Sequence, residues 1–168
     1  MKIACIFEKQ LYSFHYDEFD QNEYERKFDQ WTNLEYIYKF AKANKITDIE
    51  SYADQIIENV EEIEDFIEEI RKTHGQFKQL FIPLDNKETN RILSLRKGKI
   101  TNNDIRIYAI KVPEEFYVIT GGAIKMSQKM QEHPCTNKEL IKLYNAKTFL
   151  ELNGITNEDA FLELIAEL

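Results

Sequence analysis

The side chains of this sequence that could do chemistry are a group of cations in its middle part. In chain order they are Arg96, Arg106, Lys125, Lys129 and His133. The strand ends predicted below would gather most of them, and a cluster of guanidinium and ammonium groups predicts an anionic partner. A structural alternative stays open for each. The arginines would pair across strands with Asp104 or Glu114, the lysines would be solvated, and the histidine would be a turn residue before Pro134.

The net charge of −8 conceals a basic segment between two acidic ones. Residues 1–70 carry a net charge of −11, residues 71–147 carry +8, and residues 148–168 carry −5. This asymmetry predicts a polyanionic partner for the basic segment, and the alternative is a chance fluctuation of charge along the chain.

Known catalytic and cofactor-binding motifs do not occur in the sequence. It contains no GxGxxG, GxxxxGK[ST], HExxH, CxxC or GxSxG pattern. His15, His74 and His133 are too scattered for a metal-ligand pair, so neither a metal nor a cofactor is predicted. Cys5 and Cys135 have no paired spacing and are expected to be reduced thiols of a cytoplasmic protein. No apolar run approaches the roughly 20 residues that span a bilayer, and the N-terminal run is too short for a signal peptide.

The element that positions most of these cations is a predicted antiparallel hairpin. Two apolar runs, 105–112 and 116–120, are joined by Pro113-Glu114-Glu115. Gly121-Gly122 follows as a predicted kink or bulge and opens into the lysine-rich segment. Thr136-Asn137-Lys138-Glu139 is a capping box, which predicts that a helix begins there.

The first half of the chain predicts a strand followed by a helical hairpin. Lys2–Glu8 is a short apolar run typical of a strand. A stripe of aromatic residues predicts a helix over 17–43, and isoleucines at heptad spacing predict a second helix over 46–70. Their short connection predicts an antiparallel hairpin within residues 17–74. The glutamates on the outer side of the second helix indicate a solvated acidic face, since the spacing of a calcium loop is absent.

The whole pattern predicts one domain of the α+β class over residues 1–168. Further strands are predicted over 77–84 and 91–96, and a short last helix follows Thr156. The expected architecture is a small antiparallel sheet of about five strands flanked by helices, with the acidic helical hairpin as an insertion.

An ordered set of short motifs runs through residues 91–150. In order they are Leu93-Ser94-Leu95-Arg96, Ile105-Arg106-Ile107-Tyr108, Ala123–Lys129, Pro134 and Glu139. The set resembles two arginine-bearing strands and a lysine-rich segment that leads into the last helix of the RelE/HigB-like toxins, which belong to the RelE/ParE superfamily. The resemblance implies a RelE-like sheet in which the first strand of this chain also takes part.

The resemblance also implies a function, that of the toxin in a type II toxin-antitoxin system. A cognate antitoxin, expected to be a helix-turn-helix protein, would mask the cationic face. The toxin would cleave messenger RNA on the ribosome without a metal, with the RNA 2′-hydroxyl attacking the adjacent phosphate. In the implied roles, Arg96 and Arg106 clamp the phosphate, and Lys125 and Lys129 add charge at the attacking and leaving oxygens. His133 would be the general acid or base.

Some features depart from the family pattern. Its members are usually smaller and strongly basic, and some use a C-terminal tyrosine that has no equivalent between Met126 and Leu143. Two alternatives therefore stay open: a non-enzymatic toxin of the same fold, and an interaction module that works through the acidic hairpin. In a further variant, residues 58–69 would fold over the basic face as a built-in inhibitor.

Overall fold

A sheet of six strands, with helices on both of its faces, organises the chain. The computed structural model describes residues 1–73, 75–85, 91–126 and 133–168. The strands are β1 (Lys2–Phe7), β2 (Leu11–His15), β3 (Phe81–Pro83), β4 (Ser94–Gly98), β5 (Ile105–Val112) and β6 (Phe116–Ile124). The helices of this part of the chain are α1 (Glu23–Thr32), α2 (Leu34–Ala43), α3 (Ile49–Lys72), α4 (Pro134–Leu152) and α5 (Glu158–Glu167), with a 3-10 turn at Phe77–Gln79.

The strand order across the sheet is β1-β2-β6-β5-β4-β3. β2 and β6 run parallel, from Leu11 opposite Tyr117 to Ser13 opposite Ile119, and the other neighbouring strands are antiparallel. The α+β class is confirmed, but the predicted antiparallel sheet of about five strands is wrong, because the described sheet is mixed and has six. The additional strand arises because the chain turns after β1, and residues 11–15 pair with β1 on one side and with β6 on the other.

Alternation of side chains along the strands gives the sheet two separately covered faces. Face A carries Ile105 and Ile107 and packs against α1, α2 and α3. Face B carries Tyr108 and Ile110 and packs against α4 and α5. The sheet therefore divides the apolar core into two layers, and a side chain's position along a strand decides which layer it joins.

The segment predicted as a helical hairpin contains three helices. The helix expected over residues 17–43 is interrupted at Asn33, which ends α1 and whose side chain accepts a hydrogen bond from the Tyr36 amide of α2 at 3.0 Å. α3 follows the predicted isoleucine spacing, and Ile56 and Ile63 are completely buried in the layer on face A. Among the described helices, none is both long and apolar enough to cross a membrane.

α4 begins three residues earlier than the capping box predicted. Its N-cap is His133, whose Nδ1 accepts a hydrogen bond from the Cys135 amide at 3.2 Å, and Pro134 takes the first helical position, which suits its fixed φ. Thr136, the predicted cap, is buried in the first turn, where its hydroxyl donates to the His133 carbonyl at 3.1 Å. Glu139, the other member of the predicted box, pairs with a lysine of α1 instead.

β6 does not end or kink at its two glycines, but its register with β5 shifts at Thr120, so a bulge lies directly before Gly121. The strand continues through Gly121 and Gly122 to Ile124, while a helix approaches from each face. A β-carbon on Gly122 would lie 2.6 Å from the Trp31 ring of α1, and one on Gly121 would overlap the Glu139 carboxylate of α4. The two glycines therefore allow α1 and α4 to approach the middle of the sheet more closely than any larger residue would.

We expect Gly122→Ala to lower the free energy of unfolding by about 1–3 kcal/mol, because the added methyl group would overlap the Trp31 ring and the Arg106 carbonyl. Urea unfolding followed by tryptophan fluorescence measures the change, and Trp31 is the only tryptophan in the sequence.

Gly75→Ala is the matched control for this substitution. The atom nearest to its added methyl group is the rotatable Thr73 hydroxyl at 3.2 Å, so the free energy of unfolding should change by less than about 0.5 kcal/mol. An equal loss of stability in the two variants would contradict the close packing at Gly122.

Candidate functional site

The sheet separates the two arginines that the sequence placed together. Arg96 on β4 lies opposite Ala109, which belongs to face A, and its Nε donates to the Ser94 hydroxyl at 3.1 Å. Arg106 on β5 precedes Ile107 of face A by one residue, so its side chain leaves the strand on face B. The two guanidinium groups therefore do not form one phosphate clamp.

Face B nevertheless carries four cations at one end of the sheet, which we call the basic patch. Its members are Lys97, Lys99, Arg106 and Lys125. They come from the end of β4, the start of β5 and the residue after β6. These segments are adjacent in the sheet, because Lys97 lies opposite Tyr108 and Arg106 lies opposite Ala123. Burial first, and then the other three cations, lower the pKa of Lys97 below its ordinary value. The patch is thus compact enough for its charges to act on one another.

The guanidinium of Arg106 is half-buried and held by the backbone. Its Nη1 donates to the carbonyl oxygens of Asn103 and Ile105, at 2.5 and 3.0 Å. Its Nε is buried and has no hydrogen-bond partner among the residues that the structure describes. Burial lowers the pKa of Arg106, and Tyr108 and Asp104 act in the opposite direction. A fixed cation with an unused donor is well suited to bind an anion.

The other predicted site residues have different surroundings. Lys125 belongs to the basic patch, and its backbone amide donates to the Asp104 carbonyl at 2.7 Å. Lys129 lies outside the described residues. Nδ1 of His133 accepts a hydrogen bond, so Nε2 carries the proton and donates to the Asn44 side chain at 2.7 Å. Both ring nitrogens of His133 are therefore engaged, at the N-terminus of α4 and the C-terminus of α2.

The alternative prediction, in which the two arginines pair with carboxylates across strands, is not confirmed by the described residues. Within the described ranges, neither arginine forms an ion pair with Asp104 or Glu114. The Asp104 carboxylate accepts a hydrogen bond from Gln55 of α3 at 3.0 Å, and the Glu114 amide donates to Glu158 at 3.1 Å. Arg106 thus forms no ion pair with a carboxylate among the described residues, although the charge of Asp104 acts on it.

The acidic side of α3 does not cover the basic patch. The buried side of α3 packs on face A, whereas the patch lies on face B. Contacts of α3 with this end of the sheet are made by polar groups, among them a hydrogen bond from the Asn103 side chain to the Asn59 carbonyl at 2.8 Å. Glu62 of α3 does reach this end of the sheet, where its carboxylate accepts a hydrogen bond from the Asn103 side chain at 3.1 Å. The variant in which residues 58–69 act as a built-in inhibitor therefore stays a prediction.

A second group of charged side chains lies where α1 meets α4 at the outer edge of β6. This charge cluster consists of Glu23, Arg26, Lys27, Glu139 and Lys142. β2 pairs with β6 only as far as Ile119, so the rest of that edge is open to the two helices. Lys142 bridges the carboxylates, with its Nζ 2.6 Å from Glu23 and 2.8 Å from Glu139. Arg26 pairs with Glu23 at 2.6 Å, and Lys27 pairs with Glu139 at 2.5 Å.

Burial makes the charges of this cluster depend on one another. The side chains of Glu23 and Glu139 are 0% and 5% exposed. Burial alone would raise the pKa of Glu23, but the hydrogen bond from Arg26 and the charge of Lys142 outweigh it, so the pKa lies below its ordinary value. Burial lowers the pKa of Lys27 although Glu139 attracts its proton. Oε2 of Glu139 touches Lys142 as an ion pair without hydrogen-bond geometry. Three cations against two anions leave one excess positive charge.

Two tyrosines, the buried Tyr108 and the partly buried Tyr16, lie close to these groups. Burial raises the pKa of Tyr108 to about 12. The charge of Arg106 opposes this increase, and the charge of Glu139 adds to it. Charges of the basic patch and of the charge cluster thus both act on Tyr108. Tyr16 donates its hydroxyl to the Thr120 carbonyl at 2.7 Å, and burial raises its pKa strongly. Both phenols therefore stay protonated near neutral pH.

A cavity of about 380 Å³ opens beside the charge cluster. Its floor is the outer edge of β6 from Gly122 to Ile124, one wall carries four members of the charge cluster, and another carries Tyr36 and Phe40. Sites for small organic molecules commonly have volumes in this range. Within the described residues, no three His, Cys, Asp or Glu side chains are grouped so as to hold a metal ion.

Comparisons with protein-family models, with curated proteins and with solved structures found no match for this chain. The resemblance to RelE/HigB-like toxins therefore stays a prediction from the sequence. Arguments about function rest on the chemistry of the basic patch, of the charge cluster and of the cavity.

Several residues of the basic patch and of the charge cluster are not predicted as site residues from the sequence. Lys97-Gly98-Lys99 is interpreted as a turn, although the alternation of Leu93, Leu95 and Lys97 places that lysine on the face of the two buried leucines. The charge cluster has no local signal, because Glu23 and Lys142 are 119 residues apart in the chain. Glu139 carries a misleading signal, since its position after Thr136 is also typical of a capping box.

We expect Glu23→Gln to lower the free energy of unfolding by about 3–5 kcal/mol at pH 7, because it removes a buried charge that Arg26 and Lys142 need. The folded-state pKa of Glu23 lies below its ordinary value of 4.5. Its ionised form therefore stabilises the protein above that pH, and this contribution is lost as the pH falls through the folded-state pKa. Urea unfolding at pH 7 and at several acidic pH values should show the difference between wild type and variant shrinking below pH 4.5.

Glu25→Gln is the control on the same helix. Glu25 is exposed and has no ion pair with any described residue, so its loss should change the free energy of unfolding by less than about 0.5 kcal/mol. If the difference in the free energy of unfolding between wild type and Glu23→Gln does not vary with pH, the ionised carboxylate is not what stabilises the cluster.

Proposed function

We propose that the basic patch binds the phosphodiester backbone of RNA, and that this protein is a ribosome-dependent messenger-RNA endonuclease, the cytoplasmic toxin of a type II toxin-antitoxin system. The observation that carries the proposal is the convergence of four cations, from three segments of the chain, on one face of the sheet. Cations held this close together repel one another, and a phosphate group bound among them relieves that repulsion.

The distribution of charge supports approach of a polyanion to face B. The chain carries a net charge of −8, which by itself would repel RNA. The acidic side of α3 and the basic patch lie on opposite sides of the sheet, so the repulsion and the attraction act in different places. RNA is therefore steered to the patch rather than excluded from the whole surface.

The groups of the basic patch supply what cleavage of RNA by its own 2′-hydroxyl requires. Lys97 in its neutral form accepts the hydroxyl proton while the oxygen attacks the adjacent phosphorus. Arg106 stabilises the negative charge that grows on the non-bridging oxygens. A protonated lysine of the patch donates to the departing 5′-oxygen. The O2′–P bond forms and the P–O5′ bond breaks, which gives a 2′,3′-cyclic phosphate and a free 5′-hydroxyl.

Lys97 takes the role of the base in place of His133. Burial and the charges of the other three cations lower the pKa of Lys97 below its ordinary value, so this lysine holds its proton less tightly than an exposed lysine would. His133 uses one ring nitrogen to cap α4 and the other to contact Asn44. A helix cap that also joins two helices is a structural role, and its loss would affect folding before chemistry.

The antitoxin in this proposal is the protein that neutralises the basic patch when RNA is absent. An acidic segment suits this role, because it would satisfy the cations that otherwise bind phosphate. Such a segment would compete with RNA for the half-buried guanidinium of Arg106.

A second candidate function is favoured by α3, whose exposed side carries closely spaced carboxylates. Burial first, and then the charges of Asp65 and Glu61, raise the pKa of Glu64. Like charges held together on a rigid helix suit a basic partner. In this alternative the protein is an interaction module, its expression does not arrest growth, and binding is lost on replacing the α3 carboxylates rather than the basic patch.

We expect Arg106→Gln to reduce cleavage of ribosome-bound messenger RNA by about two to three orders of magnitude, because a fixed charge is removed from the transition state. Arg96→Gln makes the same change on the adjacent strand but on face A, so it should retain wild-type cleavage. Mapping new 5′ ends on a message translated in a reconstituted system measures the activity, and circular dichroism checks that both variants fold.

The same assay distinguishes the competing readings. A message with a single 2′-deoxyribose at the cut position should bind but stay intact there, because the attacking hydroxyl is absent. Cleavage that survives Arg106→Gln, or is lost equally in Arg96→Gln, would contradict the assignment to the basic patch. Growth arrest without RNA cleavage would point to a non-enzymatic toxin, and a protein that neither arrests growth nor binds RNA would favour the α3 alternative.

A further inference from the structure

The cavity at the outer edge of β6 contains more hydrogen-bond donors than acceptors. Arg26, Lys27 and Lys142 together carry eleven N–H groups. Four contacts join their nitrogens to carboxylate oxygens of the described residues, and one of the four lacks hydrogen-bond geometry. All three side chains line the cavity, and they are only 18%, 12% and 19% exposed. Cations that are removed from bulk water in this way need further acceptors.

The guanidinium of Arg26 is the best oriented of these donors. Its Nε donates to Glu23, and its plane lies over the Phe19 ring with 3.8 Å from Cζ to the ring centre. These two contacts fix the group and leave its Nη groups without a partner among the described residues. A guanidinium held on one edge presents its other edge as a fork that matches two oxygens of one carboxylate or phosphate.

We propose that this cavity binds a small organic anion, with a carboxylate or phosphate group against Arg26 and Lys27 and an apolar body against Tyr36 and Phe40. The excess positive charge of the cluster supplies the attraction for the anionic group, and the two aromatic side chains supply apolar surface for the rest of the ligand. The assignment is independent of the function of the basic patch.

The ligand also has a place to form backbone contacts. The strand ladder between β2 and β6 ends at Ile119, and the edge of β6 from Gly122 to Ile124 forms the floor of the cavity. Backbone groups along a strand edge that lacks a neighbouring strand are available as donors and acceptors for a ligand. The size of the cavity, about 380 Å³, limits the ligand to a small molecule.

Three probes that share one aromatic ring test the proposal on the full chain: benzoate, phenyl phosphate and uncharged benzyl alcohol. Titration is followed through the backbone amide resonances of Gly121, Gly122 and Ala123. At least one anion should shift these resonances saturably, with a dissociation constant below about 1 mM, and should raise the melting temperature. Benzyl alcohol should do neither. A response to benzoate alone or to phenyl phosphate alone identifies which anionic group the cavity takes.

Arg26→Gln should weaken binding of the anion by about tenfold or more, because it removes the charged fork. Arg71→Gln is the matched control, because Arg71 also pairs with a glutamate three residues earlier and also lies near a phenylalanine ring, but on α3 and outside the cavity. Its effect on binding should be negligible. Lys138 lies at the exposed rim of the cavity, so Lys138→Gln should weaken binding several-fold. This variant tests the proposal if Arg26→Gln does not fold.

Three results would overturn the proposal. The first is the absence of a saturable shift with either anion, which would mean that water alone satisfies the donors. The second is equal binding of benzyl alcohol and the anions, which would mean an apolar site without charge recognition. The third is unchanged anion binding in folded Arg26→Gln and in Lys138→Gln, which would place the anion elsewhere on the protein.

Discussion

The approach of two helices to one strand, β6, is the constraint on which the rest of the structure depends. Gly122 lets the Trp31 ring of α1 rest on face A, and Gly121 lets Glu139 of α4 rest on face B. Because both helices come this close, Glu23 and Lys142 meet at 2.6 Å around an edge that none of the described strands covers. Buried charges are stable only when each finds its partner, so this arrangement fixes where α1 and α4 lie relative to each other.

The sheet also separates functions by separating charge. Arg96 and Arg106 differ by an even number of residues, yet a turn lies between them and they leave adjacent strands on opposite faces. The acidic side of α3 and the basic patch are separated in the same way. A protein with a net negative charge thus retains one face with a local positive potential, on which the proposed binding of RNA depends.

The parts of the fold that depend on local pattern could be predicted from the sequence. The hairpin of β5 and β6 lies where the two apolar runs placed it, and α3 follows its isoleucine spacing over most of its length. These predictions succeed because strand alternation and helical periodicity are properties of neighbouring residues. Competition between neighbouring signals explains the local errors: Asn33 divides one expected helix in two, and Pro134 starts α4 ahead of Thr136.

The sequence by itself determined most of the elements, the α+β class and the concentration of cations in the middle of the chain. Tertiary structure alone decided that β2 pairs with β6, that Arg96 leaves the group of cations while Lys97 joins it, and that Glu139 pairs with Lys27 rather than capping a helix. The physical reason is that each of these outcomes depends on which segments lie side by side. The contact between Glu23 and Lys142, which are 119 residues apart in the chain, stabilises the protein only after the chain has folded around β6.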